Sequence, residues 1–428
     1  MVLSHSKYLN YEYIINLLLC ILPLSFIAGN LCINLNMVLI IFFSILKFKK
    51  KFFTIEFRFI DKLLIIFFLY VILVGSYNYY SFSDQNNVYL KGNLIKSFVF
   101  LRYFLFYLSI KLIIENRIFN FKLFFIISSL SVLFVSLDLI YQLNFGKDIF
   151  GNLKTSYKLS GPFGSEPIAG SYLQRFSIFI FFLAPLFLNF KNKKNSLLLL
   201  SFIFFLIFIS IIIAGNRMPL ILFVFMFFIL FLMEKKLRKF SLLLITSTTI
   251  VFLIVLMVNP FVQNYTQEFL RMCIGYLIFF KETLFLGLEP NITNIYIKEF
   301  YTGYLTWKEN LIFGGGINFF YLNCAKLIKY CASHPHNYYL EILAELGFVG
   351  FFIVLLLIIN LFTKFIKNKN KLSLNFYDNL SLPFALVLFI EFFPIKTSGS
   401  FFTTGNTTFI FLLIAIVANL PKKYIPIE

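Results

Sequence analysis

Residues 196–233 read SLLLLSFIFFLIFISIIIAGNRMPLILFVFMFFILFLM, and Arg217 is the only charged residue among them. A helix needs about 20 apolar residues to cross the ~30 Å hydrocarbon core of a bilayer. Gly215 and Asn216 divide the stretch into two apolar runs near that length, 196–214 and 217–233. The stretch therefore predicts two consecutive membrane spans joined by a short turn, although its continuity resembles one long helix.

The whole chain has the composition of a membrane protein. Of its 428 residues, 60% are hydrophobic and only 13% are charged, against roughly 25% charged residues in soluble domains. The eleventh apolar run is the weakest because it contains Pro383, Glu391 and Pro394. We predict an all-α integral membrane protein with about twelve transmembrane helices, near residues 11–29, 31–48, 60–77, 94–114, 121–142, 167–190, 196–214, 217–233, 240–258, 338–363, 380–395 and 404–420.

The positive charge is distributed unevenly between the loops. The formal net charge is +19, which in a soluble protein would suggest a nucleic-acid partner. Here the cations occur in short runs between apolar stretches, so we expect cytoplasmic anchors and no nucleic acid. These runs fall in alternate loops, near residues 47–62, 111–122, 191–194, 235–239, 364–371 and 422–423. Lys111 is counted among these loop cations. The pattern predicts that both termini are cytoplasmic.

One long segment interrupts the alternation of spans and short loops. We predict nine transmembrane helices in residues 1–258, a large outer loop in 259–337, and three helices with a cytoplasmic tail in 338–428, all in one membrane domain. The loop contains Trp307, a triple glycine at 314–316, three of the five cysteines and two of the three histidines. Loops of this length without function are uncommon. We expect any chemical site in this loop or in an outward-facing cavity beneath it.

Residues 334–350, HPHNYYLEILAELGFVG, lie where this loop meets the tenth predicted span. Asn337 is a residue type that caps helices, and the first turn of a helix favours anions. An imidazole titrates near neutral pH and can take a proton from an attacking hydroxyl, which suits His336 or His334. Two other interpretations stay open: a loop histidine held by a hydrogen bond, or a zinc ligand pair that lacks a third ligand at motif spacing.

Buried arginines mark two further segments. Arg217, in AGNRMPL at 214–220, stands at the outer junction of two apolar helices, where it is either a snorkelling anchor or a planar fork for phosphate. Arg175 lies about two turns into the sixth span, after SGPFGSEPIAGSYLQ at 160–174, and it requires a partner or a polar cavity. We expect Glu166, in the same segment, to face membrane depth as well. Arg102 and Arg271 are weaker candidates.

The cysteines near the predicted site suggest a disulfide. Cys324 and Cys331 flank a short segment just before His334. On an oxidising outer face a bond between them would hold the loop that positions the histidine. Cys273 is an alternative partner, since sequence alone does not settle connectivity. Cys20 and Cys32 fall within predicted spans and are interpreted as small apolar residues.

Three of these segments together resemble the O-antigen ligase and polymerase superfamily of bacterial envelope glycan enzymes. They are the 334–350 run, the GNRMP junction at 215–219, and WKENLIFGGG at 307–316 between them. The resemblance is most specific over roughly residues 200–350. Where Asn216 stands, the family usually has a small hydroxyl residue, so the junction motif departs from the family pattern.

The resemblance implies about twelve spans in the bacterial inner membrane and a large outer loop. It also implies a donor of undecaprenyl pyrophosphate carrying a glycan, and a metal-independent inverting transfer without a cofactor. Carried over by position, Arg217 would bind pyrophosphate and His336 would act as, or position, the base, with Arg175, Arg271, His334 and Glu166 as further substrate contacts. The acceptor would be lipid A core sugar in a ligase, or a second lipid-linked repeat in a polymerase.

Two rival functions belong to other classes. Intramembrane Arg and Glu also occur along the substrate path of a lipid or polysaccharide transporter, but transporters commonly contain repeats and the sequence shows none. A structural scaffold of the envelope would need no pocket shared by Arg217 and His336. A single outer cavity into which Arg217 and His336 both open favours glycan transfer, whereas exposure of both to lipid or bulk water does not.

Overall fold

The computed structural model shows a helical protein. It describes residues 11–81, 87–153, 158–187, 193–233, 238–258, 260–279, 281–282, 286–287, 295–327, 332–368, 380–394, 396–397, 399–421 and 424. Over these residues the chain is 81% helix without β-strands. The predicted all-α class is therefore confirmed.

Nineteen helices occur in the described part of the chain. They are α1 (Tyr11–Cys20), α2 (Leu22–Ala28), α3 (Asn30–Phe48), α4 (Lys50–Phe53), α5 (Phe59–Ser81), α6 (Asn87–Phe100), α7 (Arg102–Glu115), α8 (Phe121–Phe145), α9 (Ala169–Phe176), α10 (Ile178–Phe187), α11 (Lys193–Ile213), α12 (Arg217–Met233), α13 (Arg238–Val258), α14 (Pro260–Phe279), α15 (Ile295–Glu309), α16 (Phe319–Leu327), α17 (Tyr338–Asn368), α18 (Ser381–Glu391) and α19 (Thr404–Asn419). A 3₁₀ turn, Gly161–Phe163, precedes α9.

Each predicted apolar run contains helix among its described residues, yet fewer helices are long and apolar enough to form a span. Among the described residues, five stretches are long and apolar enough to cross a membrane: Asn30–Phe48, Phe59–Ser81, Lys91–Glu115, Phe121–Phe145 and Tyr338–Lys367. The pair α1 and α2 adds a sixth if its 53° bend lies within one span. The chain is thus a multi-pass membrane protein, and the count of twelve stays a prediction. The outer loop stays one too; α14, α15 and α16 lie in its range.

Local sequence explains where single helices begin and end. The side chain of Asn120 accepts a hydrogen bond from the Leu123 amide at 3.0 Å and caps the start of α8. Gly146, with φ of 76°, ends the same helix in the left-handed conformation that glycine adopts readily. The predicted break between the seventh and eighth runs is present, since α11 ends at Ile213 and α12 begins at Arg217.

Helix α19 is the centre of the bundle. All residues from Thr407 to Asn419 are buried, and the helix packs against α3, α7, α17 and α18. A helix that is apolar on every side is stable only when it is surrounded by protein or lipid. The first residues of α19 and the loop that precedes it are consequently held firmly at one end of the bundle.

Lys111 departs from its predicted place among the loop cations. Its side chain is buried in α7, where Nζ lies 2.6 Å from Oδ2 of Asp61 and donates to the Glu56 carbonyl at 2.7 Å. The Tyr107 hydroxyl donates to the same carboxylate. A buried charge needs such partners, so this lysine joins α5 to α7 instead of anchoring a loop.

The triple glycine packs against a break in α17. Gly347 has φ of 65° and interrupts the helix, which exposes backbone groups that the 311–316 loop then satisfies. The Phe348 amide donates to the Leu311 carbonyl at 2.9 Å, and the Gly316 amide donates to the Glu345 carbonyl at 2.7 Å. A Cβ on Gly314 would lie 2.4 Å from the Gly347 nitrogen. Two of the three motif segments are therefore joined by close backbone packing.

Candidate functional site

A cavity of about 640 Å³ lies among the ends of α2, α3, α9, α12 and α19. One side is apolar, with Phe26, Phe163 and Leu222 among the lining residues. Its lining residues include the charged side chains of Glu166, Arg175 and Lys396, the imidazole of His334 and the phenol of Tyr172. A volume of this size lies in the range of small-molecule sites. Sequence segments that are far apart in the chain thus contribute ionisable groups to one space.

Arg175 is held by a buried carboxylate. Its Nε and Nη2 donate to Oε1 and Oε2 of Glu391, each at 2.9 Å, in the paired geometry that a guanidinium favours. Nη2 also donates to Oδ1 of Asn406 at 2.7 Å, and the guanidinium lies 5.0 Å from the ring centre of Phe409. The partner and the polar cavity expected for this arginine are both present.

Lys396 makes the cluster positive. Its Nζ lies 2.7 Å from Oε2 of Glu391, whose side chain is 0% exposed. The cluster of Arg175, Lys396 and Glu391 therefore contains two cations and one anion, with a net charge of +1. Because its arginine and lysine also line the cavity, the cluster contributes positive charge to this side of it, beside the carboxylate of Glu166. The sequence offered one signal for this site: a glutamate within an apolar run requires a cation nearby.

Arg217 lies beside the cavity and is not among the described residues that line it, whereas Pro219 and Leu222 of the same helix are. Its Nη2 is 3.1 Å from Oε2 of Glu268 on α14, a side chain that is 69% exposed. Burial and then the charge of Arg217 lower the pKa of Lys158, so a second cation lies near this arginine. Arg217 therefore has a carboxylate partner, Glu268, as a charged residue between two apolar helices requires.

Asn216 joins the two arginine-bearing segments. Its Oδ1 accepts from the Gly170 amide at 3.0 Å, and its Nδ2 donates to the Pro167 carbonyl at 3.0 Å. A Cβ on Gly170 would lie 2.6 Å from the Asn216 side chain. This contact holds the start of α12 against the start of α9, and so sets the position of Arg217 relative to Arg175.

The two histidines lie together at the C-terminal end of the predicted outer loop, 259–337. Their ring centres are 4.2 Å apart. His334 lines the cavity, and its Nδ1 is 2.9 Å from the Ser333 hydroxyl. His336 is not among the described lining residues; its Nε2 lies 3.4 Å from Oε2 of Glu299 on α15. The structure therefore brings His334 into the cavity and places His336 directly behind it.

Asn337 caps α17 as predicted. Its Oδ1 accepts from the amides of Tyr339 at 3.0 Å and Leu340 at 3.2 Å. Its Nδ2 donates to the Pro394 carbonyl at 2.9 Å, two residues before Lys396 in the chain. One side chain therefore connects the histidine segment to the segment that carries the buried cation cluster.

The remaining candidates lie in different settings. Glu166 lines the cavity, and its side chain is exposed. Arg271 is exposed on α14 and is not among the described cavity residues. Arg102 donates to the Tyr103 hydroxyl at 2.9 Å, beside α19. In the described part of the chain, no group of three or more His, Cys, Asp or Glu residues is arranged to hold a metal ion.

The cysteine prediction is tested in part. Cys324, on α16, is disulfide-bonded, whereas Cys273 is free. The alternative pairing through Cys273 is therefore wrong. Cys331, the other predicted partner, lies outside the described residues. Cys20 and Cys32 are free, as expected of residues within spans.

Comparison with known proteins identifies the central segment of the chain. Residues 202–355 match the family model described as O-antigen ligase. This range includes both Arg217 and His336, so the resemblance to the O-antigen ligase superfamily is confirmed on the segment where the motifs occur. No curated protein matches the chain.

Proposed function

We propose that the chain transfers a glycan from undecaprenyl pyrophosphate to an acceptor hydroxyl, and the match of residues 202–355 to the family model described as O-antigen ligase supports this proposal. The reaction takes place at the outer face of the bacterial inner membrane, with both termini of the chain in the cytoplasm. Lipid A core is the acceptor that we propose for a ligase. The single observation that carries the proposal is the cavity, which brings a net positive buried cluster and His334 together.

The transfer forms one bond and breaks another. The acceptor oxygen attacks the anomeric carbon, the bond from that carbon to the phosphate oxygen breaks, and lipid pyrophosphate leaves with its electron pair. Negative charge develops on this leaving group, so cations held in place stabilise the transition state more than the bound donor. Arg217, Arg175 and Lys396 supply those cations in the proposed mechanism, and no metal ion takes part.

The acceptor proton goes to His336. The ring of His336 lies 4.2 Å from that of His334, which lines the cavity, and an imidazole is neutral over much of the physiological pH range. A positioned base of this kind accelerates transfer by about 100- to 10,000-fold. Inversion at the anomeric carbon follows from a single displacement.

The test is transfer in proteoliposomes that contain the full chain, a lipid-linked glycan and lipid A core. We expect Arg217→Ala and His336→Ala to reduce turnover at least a hundredfold, and chelation of divalent ions to leave it unchanged. Arg238→Ala is the matched control. Arg238 is an exposed arginine that donates to the Phe231 carbonyl and is not among the described cavity residues. Full turnover by both variants would remove these residues from the mechanism.

The product distinguishes the alternatives. Glycan attached to lipid A core indicates a ligase, and lengthened lipid-linked glycan indicates a polymerase. Movement of lipid-linked glycan between leaflets without a new glycosidic bond indicates a transporter, and this result would refute glycan transfer.

A further inference from the structure

Glu299 is an acidic residue of α15 that the transfer mechanism does not yet use. Its side chain is 12% exposed, and its Oε2 lies 3.4 Å from Nε2 of His336. The two residues belong to different segments of the chain. A carboxylate that faces one nitrogen of an imidazole is the arrangement that orients a histidine base.

The packing of α15 holds the carboxylate in this place. Gly303 is one turn after Glu299 and so lies on the same face of the helix. A Cβ on Gly303 would be 2.9 Å from Cβ of Pro335, which precedes His336. Phe300 and Ile297 form a buried cluster with Tyr276 of α14 and Leu340 of α17. The helix backbone therefore rests directly against the histidine segment.

The backbone of His336 is also constrained. Its φ is 53°, in the left-handed region that few residues other than glycine adopt. The next residue, Asn337, caps α17 and is bonded to the Pro394 carbonyl at 2.9 Å. Residues held in such conformations cluster at functional sites, where surrounding structure determines them. The imidazole is thus oriented from both sides, by its own backbone and by Glu299.

We propose that Glu299 is a positioning residue that orients the imidazole of His336, the base for the acceptor hydroxyl, from its Nε2 side. This rests on the transfer reaction proposed above. The carboxylate favours the tautomer that carries the ring proton on Nε2. The 3.4 Å contact is an ion-pair distance without hydrogen-bond geometry, and catalytic contacts of this kind often tighten when substrate binds.

The proton balance is complete with these groups. The acceptor O–H bond breaks, its proton moves to the imidazole of His336, and the oxygen electron pair forms the new glycosidic bond. The resulting imidazolium is stabilised by the Glu299 carboxylate until the proton passes to solvent. The lipid pyrophosphate leaves with the electron pair of the bond that breaks.

The surroundings of Glu299 make its ionisation sensitive to pH. Burial raises the pKa of this carboxyl to about 7. The titratable groups beside the pair include His334 on the same loop. The phenols of Tyr276 on α14 and of Tyr301 and Tyr304 on α15 pack against the cluster of Ile297 and Phe300. From α17 the facing residue is the apolar Leu340, and α16 contacts α15 through the neutral Asn323 and Thr306.

The experiment measures the imidazole directly and does not depend on transfer. The full chain in proteoliposomes is treated with diethyl pyrocarbonate, which reacts with neutral imidazole, from pH 5 to pH 9. Modification of His336 is quantified by mass spectrometry. We expect Glu299→Gln to lower the midpoint for His336 by about one pH unit, because the opposite charge that favours imidazolium is lost. Glu309→Gln, an exposed change at the end of the same helix, should leave the midpoint where it is.

Transfer assays then connect the midpoint to catalysis. Glu299→Gln should lower kcat at least tenfold with KM within twofold, and Glu299→Asp should recover part of kcat. An unchanged His336 midpoint in Glu299→Gln refutes the positioning role, whatever the activity. Full activity of His336→Ala would instead refute the proposed function, while a shifted midpoint would still show that the pair is coupled.

Discussion

The buried cluster of Arg175, Lys396 and Glu391 supports a quantitative prediction for stability. The side chain of Glu391 is 0% exposed and contacts both Arg175 and Lys396, whose side chains are 12% and 8% exposed. Replacing it with glutamine changes the charge of the cluster from +1 to +2 and keeps the side-chain volume. Removing one partner of a buried ion pair costs about 3–5 kcal/mol. We expect Glu391→Gln to destabilise the chain by that amount.

A second substitution isolates the electrostatic part. Lys396→Met removes one cation and leaves the paired bonds between Arg175 and Glu391, so we expect a smaller loss of stability. In the Glu391→Gln background the same change returns the charge of the cluster from +2 to +1. The double variant should therefore be more stable than the sum of the two single losses predicts, by about 1–3 kcal/mol.

The assay is reversible unfolding in mixed micelles, followed by circular dichroism for the wild type, both single variants and the double variant. Glu115→Gln is the matched control, because Glu115 also lies 2.9 Å from an arginine, Arg58, but both side chains are partly exposed. Exposed pairs contribute about 0–1 kcal/mol. A loss below about 1 kcal/mol for Glu391→Gln, or additivity within about 0.5 kcal/mol, would refute the reasoning.

Two other predictions concern the contacts around the site. Gly170→Ala should lower the unfolding free energy by about 1–3 kcal/mol and reduce transfer, because its Cβ would lie 2.6 Å from Asn216. Gly92→Ala is the control, since no atom lies within 4 Å of the added Cβ. Equal behaviour of the two variants would contradict the prediction. Burial raises the pKa of Glu299 from 4.5 to about 7, so the folded protein binds this proton more tightly than the unfolded chain does. The resulting stabilisation is present below pH 4.5 and is lost as the pH rises through about 7. Glu299→Gln should therefore be more stable than the wild type at pH 8, by up to about 3 kcal/mol, and thermal unfolding at pH 5 and pH 8 would show no such divergence if the carboxyl were solvated.

The features that could be predicted from the sequence are those that depend on neighbouring residues. Apolar runs of about 20 residues form helices because every backbone group must be satisfied within the segment when water is excluded. Gly215 and Asn216 separate α11 from α12, and Asn337 caps α17 through amides two and three residues ahead. The need of Arg175 for a partner also follows from its place within an apolar run.

The identity of each partner depended on tertiary structure. Arg175 and Glu391 are 216 residues apart in the chain, and Glu299 meets His336 only because α15 packs through Gly303 on Pro335. Lys396 and Glu299 carried no motif, so sequence reasoning did not select them. It did select Arg217 and His336 as site residues, yet neither is among the described residues that line the cavity.

By itself, then, the sequence determined that this chain is helical and crosses a membrane, and it located the segments that hold the arginines and histidines. Folding decided which of these groups share a cavity and which carboxylate each one faces. The physical reason is that hydrophobicity and capping act over a few residues, whereas ion pairing acts over a few ångströms between helices whose packing no local pattern encodes.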